Sequence, residues 1–321
     1  MNNISKVLVT GGAGFIGSHL VDRLLAKGFE VTVLDNFYSG RMENISSHKD
    51  SREFHLVRGD VRDESLVKRV VKDVDGVFHE AALVDVSLSV DNPLLFNEVN
   101  VGGTLNLLKA CADSAVKRFV FASSAAVYGD SEPAKKRENM VPKPISPYGV
   151  SKLAAENYIK VFSELYGLET VSLRYFNVYG PRQGLASSYS GVITAFITRL
   201  LNDLPPVIYG DGEQSRDFVH VNDVVSANIL ALKSKNAVGQ IFNIASGTAI
   251  TVYKLAKMLQ QSANKEHSKI IFSERRSGDI KHCSSDISKA VELLGYNPKI
   301  QLKDGLMNLF KWHLDAMHDV M

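Results

Sequence analysis

The sequence is poor in cysteine and has no long apolar run. Its two cysteines, Cys111 and Cys283, lie too far apart for a metal-ligand spacing or a disulfide framework, and its nine histidines include no HExxH motif. No apolar run approaches the roughly 18 residues of a membrane span. The start, MNNISKVLVTGG, lacks the basic and apolar regions of a secretory signal. We therefore expect no metal site, no membrane partner and a cytoplasmic location.

An excess of charge of one sign is also absent. The chain has 37 Lys and Arg residues against 35 Asp and Glu residues, which gives a formal net charge of +2. This balance gives no support for nucleic acid as a partner. Hydrophobic residues at 45% and charged residues at 22% are ordinary for a globular protein, and 321 residues suffice for a large core.

Short β-rich runs alternate with amphipathic segments through the first half of the chain. We predict strands at residues 6–10, 30–35, 53–57, 76–81, 118–123, 170–176 and 240–245. This βαβα order predicts an α/β protein with a Rossmann-type, doubly wound parallel sheet. We expect residues 1–177, with the segment around 210–246, to form a dinucleotide-binding domain. Residues 178–321 would then form mainly a smaller, mixed α/β substrate-binding lobe.

A glycine pattern between the first strand and the first helix indicates a dinucleotide. The segment VTGGAGFIGSHLVDRLLAKG carries Gly11, Gly14 and Gly17, which permit a tight turn and a close approach of the backbone to pyrophosphate. Asp35 ends the next strand, where a carboxylate can bind ribose hydroxyls and repel a 2′-phosphate, so NAD is favoured over NADP. A strand-end aspartate that only makes a turn stays open as the alternative. The further cofactor contacts that we expect are Phe15, Ile16, Asn36, Asp60, Val61 and Ala81.

The stretch PYGVSK places Tyr148 four residues before Lys152 at the start of a predicted helix, so the two side chains share a face. This spacing alone suits a solvated helix face equally well. The fifth strand, however, delivers Ser124 to the edge where the cofactor would lie, which favours a catalytic group of three. An ammonium about 4 Å away favours a phenolate by about 4 kcal/mol at an effective dielectric near 20. We therefore expect the pKa of Tyr148 to fall towards neutral pH, and we expect both Tyr148 and Lys152 to contact the cofactor.

The order of four motifs resembles the extended short-chain dehydrogenase/reductase superfamily. These motifs are GGAGFIG, ASSAAVYG, YGVSK and RYFNVYG, and the resemblance continues through GEQSRDFVHVNDV and RRSGDIKHCSSDISKAVELLGYNP. Within the superfamily, the chain is most similar to the UDP-hexose 4-epimerases of the NAD-dependent epimerase/dehydratase family. The resemblance implies that Tyr148 is the acid/base, Lys152 its partner and Ser124 the hydroxyl-binding serine. It also implies a transient 4-keto sugar and a homodimer built around an intersubunit helix bundle.

The same resemblance implies a set of substrate contacts. Arg216 and Arg276 match diphosphate-contacting arginines, Asn177 matches a contact at the sugar–diphosphate region, and Asp279 could meet a ribose hydroxyl. Cys283 occupies the position that limits room at the hexose 2-substituent, where a cysteine leaves space for an N-acetyl group. We therefore expect activity on UDP-GlcNAc and UDP-GalNAc as well as on UDP-glucose and UDP-galactose.

Several other functions compete with this interpretation. Sugar-nucleotide 4,6-dehydratases and UDP-glucuronate decarboxylases carry acidic residues where this chain has Ala125 and Ala126, so the alanines disfavour both reactions. UDP-uronate 4-epimerisation stays open because the same serine, tyrosine and lysine would serve it. A simple NAD-dependent dehydrogenase would accumulate NADH with its substrate. A non-catalytic NAD-sensing module often loses the tyrosine–lysine pair, whereas both are present here.

Overall fold

A computed structural model of the protein describes residues 4–114, 116–184, 191–275 and 281–318. The strands in these ranges are β1 (Lys6–Thr10), β2 (Glu30–Asp35), β3 (Phe54–Arg58), β4 (Gly76–His79), β5 (Arg118–Ser124), β6 (Lys135–Lys136), β7 (Thr170–Tyr175), β8 (Asn177–Tyr179), β9 (Val207–Tyr209), β10 (Ser215–His220), β11 (Gln240–Ile244), β12 (Ala249–Thr251), β13 (Ile271–Ser273) and β14 (His282–Ser285). The α-helices are α1 (Phe15–Leu25), α2 (Glu64–Val71), α3 (Val86–Asp91), α4 (Pro93–Asn97), α5 (Gly103–Asp113), α6 (Pro147–Tyr166), α7 (Val192–Leu201), α8 (Val221–Lys233), α9 (Val252–Ser262), α10 (Ser288–Leu294) and α11 (Leu302–His318). No helix within these ranges is both long enough and apolar enough to cross a bilayer.

Seven strands form one parallel sheet in the spatial order β11-β7-β5-β4-β1-β2-β3. The sequence runs outward in both directions from the β1–β4 boundary, which is the topological switch point of a doubly wound sheet. Every residue of β4 is buried, as expected for a parallel strand that is covered on both faces. The predicted α/β class and the predicted Rossmann-type sheet are therefore confirmed.

Helices cover both faces of this sheet. On one face, α1 packs against α8, and their apolar side chains share a core with the sheet. On the other face, α2 packs against α5 and α5 packs against α6, around a second core that includes Leu107, Leu108 and Ile159. Each fully buried side chain of this size stabilises the fold by about 1.5–3 kcal/mol relative to an exposed one.

The predicted strands differ from the observed ones mainly at their ends. The strands at 6–10 and 30–35 match, whereas the third lies one residue later than predicted and the fourth ends at His79 rather than at residue 81. The fourth strand ends early because the chain crosses the glycine turn there. A Cβ on Gly11 would lie 2.8 Å from the Ala81 amide nitrogen.

A smaller sheet lies beyond the main one, with strand order β12-β10-β14-β6, and β8 pairs with residues 218–220 of β10. Helices α7, α9 and α11 contribute to a third core around it. Strand β11 joins the main sheet beside β7, while β10 belongs to the smaller sheet. The segment around 210–246 is thus divided between the two sheets.

Candidate active site

The turn between β1 and α1 is built so that only glycine fits at two of its positions. Gly11 has a φ of +69°, and a Cβ on Gly17 would lie 2.2 Å from the Gly11 carbonyl oxygen. Gly14 is the N-cap of α1 and makes no side-chain cap bond, so the first amides of the helix stay available to an anion. This glycine cradle fits the pyrophosphate of a dinucleotide.

A cleft of about 310 Å³ opens at the carboxyl ends of the strands, at the switch point. With the exception of Tyr148 and Lys152, every cofactor residue expected from the sequence lines it: Gly11, Gly14, Phe15, Ile16, Gly17, Asp35, Asn36, Asp60, Val61 and Ala81. The sequence analysis did not name the remaining lining residues, which are Leu34, Tyr38, Ser39, Gly59, Arg62, Glu80, Ala82, Leu83, Val84, Leu95 and Val99. Several of these follow directly after a strand, which is the signal that could have found them.

Asp35 at the end of β2 is held by the backbone. Its carboxylate accepts hydrogen bonds from the amides of Ala13, at 2.9 Å, and Phe37, at 2.8 Å. Burial raises the pKa of Asp35, and the two amide bonds partly oppose that rise. A carboxylate fixed in this way can accept hydrogen bonds from unphosphorylated ribose, so the site fits NAD.

Asn36 and Asp60 follow the neighbouring strands β2 and β3, and the Asn36 amide donates to the Asp60 carboxylate at 2.8 Å. Arg62 donates to the Asp60 carboxylate through Nε and Nη2, each at 2.9 Å. These bonds, with that of Arg62 the strongest, lower the pKa of Asp60 to about 2. Next to Asp35, the cleft is therefore lined by the Asp60–Arg62 ion pair, which carries little net charge.

Helix α6 begins where the sequence predicted it. Ser146 caps it by accepting a bond from the Gly149 amide at 3.1 Å, and Pro147 takes the first helical position. A Cβ on Gly149 would lie 2.8 Å from the Ala126 carbonyl oxygen, so the first turn of α6 packs closely on the 3₁₀ turn Ala125–Tyr128. This packing brings Tyr148 to the end of β5.

Ser124, the last residue of β5, lies next to both the 3₁₀ turn and Tyr148 of α6. Its hydroxyl accepts a bond from the Ala126 amide at 3.1 Å and so caps the 3₁₀ turn. It also lies close enough to Tyr148 to lower the pKa of the phenol. The structure therefore brings the predicted serine and tyrosine together, and the serine has a capping role as well.

The expected fall in the pKa of Tyr148 is wrong for this structure. Tyr148 is 8% exposed and its ring packs edge-on against Phe96, with ring centroids 6.5 Å apart. Burial raises the pKa of Tyr148, and the neighbouring Ser124 hydroxyl offsets only part of that rise. Desolvation dominates because an apolar pocket penalises the phenolate. The Lys152 ammonium instead donates to the Ala122 carbonyl oxygen at 2.8 Å.

Lys152 is buried beneath the sheet edge, with 3% of its side chain exposed. Its ammonium lies 4.9 Å from the centroid of the Phe121 ring. Burial lowers its pKa to about 8, while the charges of Glu80 and Glu156 act in the opposite direction. Lys152 thus keeps its charge at neutral pH with the help of two carboxylates.

Asn100 ties the cleft wall to helix α6. It lies in a π-helical turn, Glu98–Gly102, a distortion that is frequent at functional sites. Its side-chain amide bonds the Leu83 amide at 2.8 Å, the Leu83 carbonyl at 3.0 Å and the Ser151 hydroxyl at 3.0 Å. Ser151 in turn donates to the Tyr148 carbonyl at 2.8 Å. The sequence analysis did not identify this link.

A buried ion pair fixes α6 to the sheet one turn beyond Lys152. Arg174 on β7 donates to Glu156 through Nε at 2.8 Å and Nη2 at 2.6 Å, and both side chains are 2% exposed. Ser123 on β5 donates to the same carboxylate at 2.5 Å. The guanidinium also lies 4.7 Å from the centroid of the Tyr128 ring. The pair therefore joins α6, β5 and β7.

Three of the predicted substrate residues lie on adjacent strands of the smaller sheet. Arg216 on β10 is in register with Cys283 on β14, and Asn177 on β8 is in register with Phe218, two residues further along β10. Cys283 is 8% exposed and packs in a cluster with Val127, against which Ala125 also packs, so it lies beside the turn that follows Ser124. Arg276 and Asp279 fall outside the residues that the structure describes.

Comparisons with known proteins agree with this geometry. The family model for the NAD dependent epimerase/dehydratase family matches residues 7–245. A putative UDP-glucose 4-epimerase of Methanocaldococcus jannaschii is 41% identical over 308 residues, covering 95% of this chain and 97% of that protein. Other relatives are named UDP-glucuronic acid decarboxylase and dTDP-glucose 4,6-dehydratase.

Two solved structures are similar along their whole length. A UDP-N-acetylglucosamine 4-epimerase from Methanobrevibacter ruminantium, in complex with UDP-N-acetylmuramic acid, superposes with a TM-score of 0.93 at 39% identity, covering 99% of this chain and 100% of that one. A UDP-glucose 4-epimerase from Thermus thermophilus, in complex with NAD, has a TM-score of 0.87 at 38% identity, covering 97% and 99%. The predicted superfamily and the predicted cofactor, NAD, are confirmed, and the chain belongs to the NAD-dependent epimerase/dehydratase family.

Proposed function

We propose that this protein is a UDP-hexose 4-epimerase that accepts N-acetylated as well as free hexoses. The observation that carries the proposal is that Tyr148 packs with the cleft residues Leu83 and Val99 and adjoins the end of β5, with Lys152 one helical turn further along α6. The predicted class of enzyme, an isomerase, is confirmed by relatives that are named UDP-glucose 4-epimerases. The identity of the preferred UDP-sugar belongs to the proposal.

Each residue of the site has its own role in the proposed reaction. NAD, when bound, supplies the acceptor and donor of a hydride. The glycine cradle and Asp35 would hold it, and Ser124 would orient the sugar hydroxyl. Tyr148 would take the proton of that hydroxyl and later return it, after the 4-keto sugar has presented its other face. Because burial opposes ionisation of Tyr148, a nearby cation is needed, and Lys152 carries its charge below a pKa of about 8.

The turn after Ser124 argues against elimination chemistry. A dehydratase or a decarboxylase of this superfamily would carry an acidic group where Ala125 and Ala126 open the 3₁₀ turn. The Ala126 amide already donates to the Ser124 hydroxyl. The methyl groups of Ala125 and Ala126 have no proton to transfer. UDP-uronate 4-epimerisation is the second candidate, because it needs the same Ser124, Tyr148 and Lys152.

One substrate series tests the proposed function. UDP-glucose, UDP-galactose, UDP-GlcNAc, UDP-GalNAc and UDP-glucuronate would be offered separately, with products identified by NMR and NADH followed by its absorbance. We expect each hexose to convert into its C4 epimer with no net NADH. Accumulating NADH would indicate a dehydrogenase, a 4-keto-6-deoxy sugar would indicate a dehydratase, and turnover confined to UDP-glucuronate would support the second candidate.

The small side chain of Cys283 gives a prediction on specificity. Replacing Cys283 by tyrosine should lower kcat/KM for UDP-GlcNAc at least about tenfold more than for UDP-glucose, because a ring would fill the space for the acetamido group. Cys283→Ser, which keeps the volume, is the matched control. Extra volume in a packed cluster lowers the free energy of unfolding by about 1–3 kcal/mol. Thermal unfolding of both variants should therefore be recorded together with the kinetics. Equal losses on the two substrates would contradict the role of Cys283.

A homodimer and a cytoplasmic location are further parts of the proposal. Helix α4 packs beside α6, and their outer faces carry Leu94 at 78% exposure and Leu165 at 77%. A second copy that pairs through α6 would cover this apolar surface. Light scattering should give twice the 35.3 kDa mass of one chain, and Leu165→Glu should shift the mass towards that of one chain. A monomeric mass for the unmodified protein at assay concentration would refute the dimer.

A further inference from the structure

The side chain of Asn243 joins the two large sheets of the protein. It lies on β11, the edge strand of the main sheet, and is fully buried. Its amide nitrogen Nδ2 donates to the Lys136 carbonyl oxygen at 3.1 Å and to the Asp286 carbonyl oxygen at 3.3 Å. Its oxygen Oδ1 accepts a hydrogen bond from the Tyr128 hydroxyl at 2.7 Å. One side chain therefore connects the main sheet with three other points of the chain.

The chemistry of these partners fixes the orientation of the amide. Two of the partners are carbonyl oxygens, which can only accept hydrogen bonds, so the NH₂ group of Asn243 must face them. Burial raises the pKa of Tyr128 to about 12, so the phenol keeps its proton and can donate to Oδ1. Turning the amide over would place its oxygen against two carbonyl oxygens. Asn243 is therefore held in one orientation by three hydrogen bonds.

Two of these partners belong to opposite sides of the proposed substrate site. Tyr128 ends the 3₁₀ turn that follows Ser124. Lys136 lies on β6, which pairs with β14, the strand that carries Cys283. Asn243 thus fixes the edge of the smaller sheet against the turn that begins after Ser124.

The backbone around Asn243 adds two further bonds to this joint. The Asp286 amide donates at 2.9 Å to the same Lys136 carbonyl oxygen that Asn243 binds. The Asn243 amide donates to the Glu138 carboxylate at 2.8 Å, which pairs a donor on the edge strand. Strand β14 itself has two residue pairs with β10 and two with β6. Because these ladders are short, the bonds of Asn243 contribute strongly to where β14 lies.

We propose that Asn243 is a positioning residue for the selection of the sugar: its three hydrogen bonds hold β14, and with it Cys283, at a fixed place against the turn that follows Ser124. The role rests on the proposed function only for its consequence in turnover. The placement of β14 itself can be measured without a substrate, because Cys283 lies on this strand and its thiol can be labelled.

The direct test compares the two thiols of the chain. Both are buried, Cys283 on β14 and Cys111 in the second core of the main sheet. The full-length protein would be treated with iodoacetamide, and the labelling rate at each cysteine followed by mass spectrometry. Asn243→Asp keeps the shape of the side chain but removes both Nδ2 hydrogen bonds, so we expect Cys283 to react at least about tenfold faster. Cys111 should react at its unmodified rate, because the main sheet stays folded.

Two further variants separate local release from general damage. Asn202→Asp makes the same chemical change at an exposed amide, which donates to the Thr198 carbonyl oxygen at 2.8 Å, and it should leave both labelling rates unchanged. Tyr128→Phe removes only the hydroxyl that binds Oδ1 and should speed labelling of Cys283 about threefold, so the inference remains testable even if Asn243→Asp does not fold. An unchanged rate at Cys283, or an equal rise at both cysteines, would overturn the proposal.

Turnover provides the second readout. In Asn243→Asp, the KM of both UDP-glucose and UDP-GlcNAc should rise, and the ratio of their kcat/KM values should change at least about threefold, because the wall that carries Cys283 is displaced. A loss of kcat that is equal on both sugars, with each KM in place, would show a merely structural role and overturn the proposal. If the unmodified protein converts no UDP-sugar but labelling of Cys283 speeds up as expected, the proposed function fails while the placement of β14 by Asn243 stands.

Discussion

Replacing Tyr148 by phenylalanine should lower kcat by about a thousandfold or more while NAD remains bound. The substitution removes one oxygen, the group that would accept and return the proton of the sugar hydroxyl, and general acid–base groups of this kind contribute about 10²–10⁴-fold. The packing against Phe96 and Leu83 depends on the ring and would persist. Initial rates on UDP-glucose and the Kd of NAD, measured by calorimetry, check both halves of the prediction.

Ser124→Ala provides the comparison for this experiment. The serine hydroxyl adjoins Tyr148 and caps the 3₁₀ turn, so its loss should reduce kcat less than the loss of the phenol does. Tyr148→Phe with most of its kcat intact would refute the proton-transfer role. A parallel loss of NAD affinity would instead place Tyr148 mainly at the cofactor.

Replacing Glu156 by alanine should lower the free energy of unfolding by about 3–5 kcal/mol, because it leaves the Arg174 guanidinium buried without its counter-charge. Both side chains are 2% exposed and are joined by two hydrogen bonds. Urea unfolding followed by circular dichroism measures the change. The exposed pair Lys68–Glu64 offers a control, since Glu64→Ala should cost less than about 1 kcal/mol.

A double variant isolates the buried charge as the cause. Replacing both Glu156 and Arg174 by methionine removes the two charges together and keeps apolar volume, so it should recover most of the stability that Glu156→Ala loses. If Glu156→Ala unfolds at the urea concentration of the unmodified protein, the pair does not hold α6 on the sheet in the way the structure indicates.

The parts of the fold that depend on local pattern could be predicted from the sequence. Buried parallel strands are short apolar runs, and the glycine turn must lie between a strand and a helix, so the main sheet and Gly11 followed from spacing alone. The ends of strands could not be predicted as well. Treating 76–81 as a single strand concealed Glu80, which lies after the strand and faces the cleft.

The electrostatics of the site could not be predicted from spacing. The sequence places Lys152 one helical turn from Tyr148, but it does not show that the ammonium bonds the Ala122 carbonyl or that the phenol is desolvated. Both facts depend on strands and helices that are distant in sequence. The same holds for Asn100, which reaches Leu83 and Ser151 only because a π-helical turn directs it there.

In the proposed reaction, a hydride leaves C4 of the sugar and returns to it while Tyr148 carries the proton. The most direct measurement uses UDP-glucose with deuterium at C4, incubated with the enzyme in ordinary water and followed by NMR. If the hydride returns to C4, the UDP-galactose formed will retain its deuterium there. Epimerised product that has exchanged its deuterium for solvent hydrogen would contradict it.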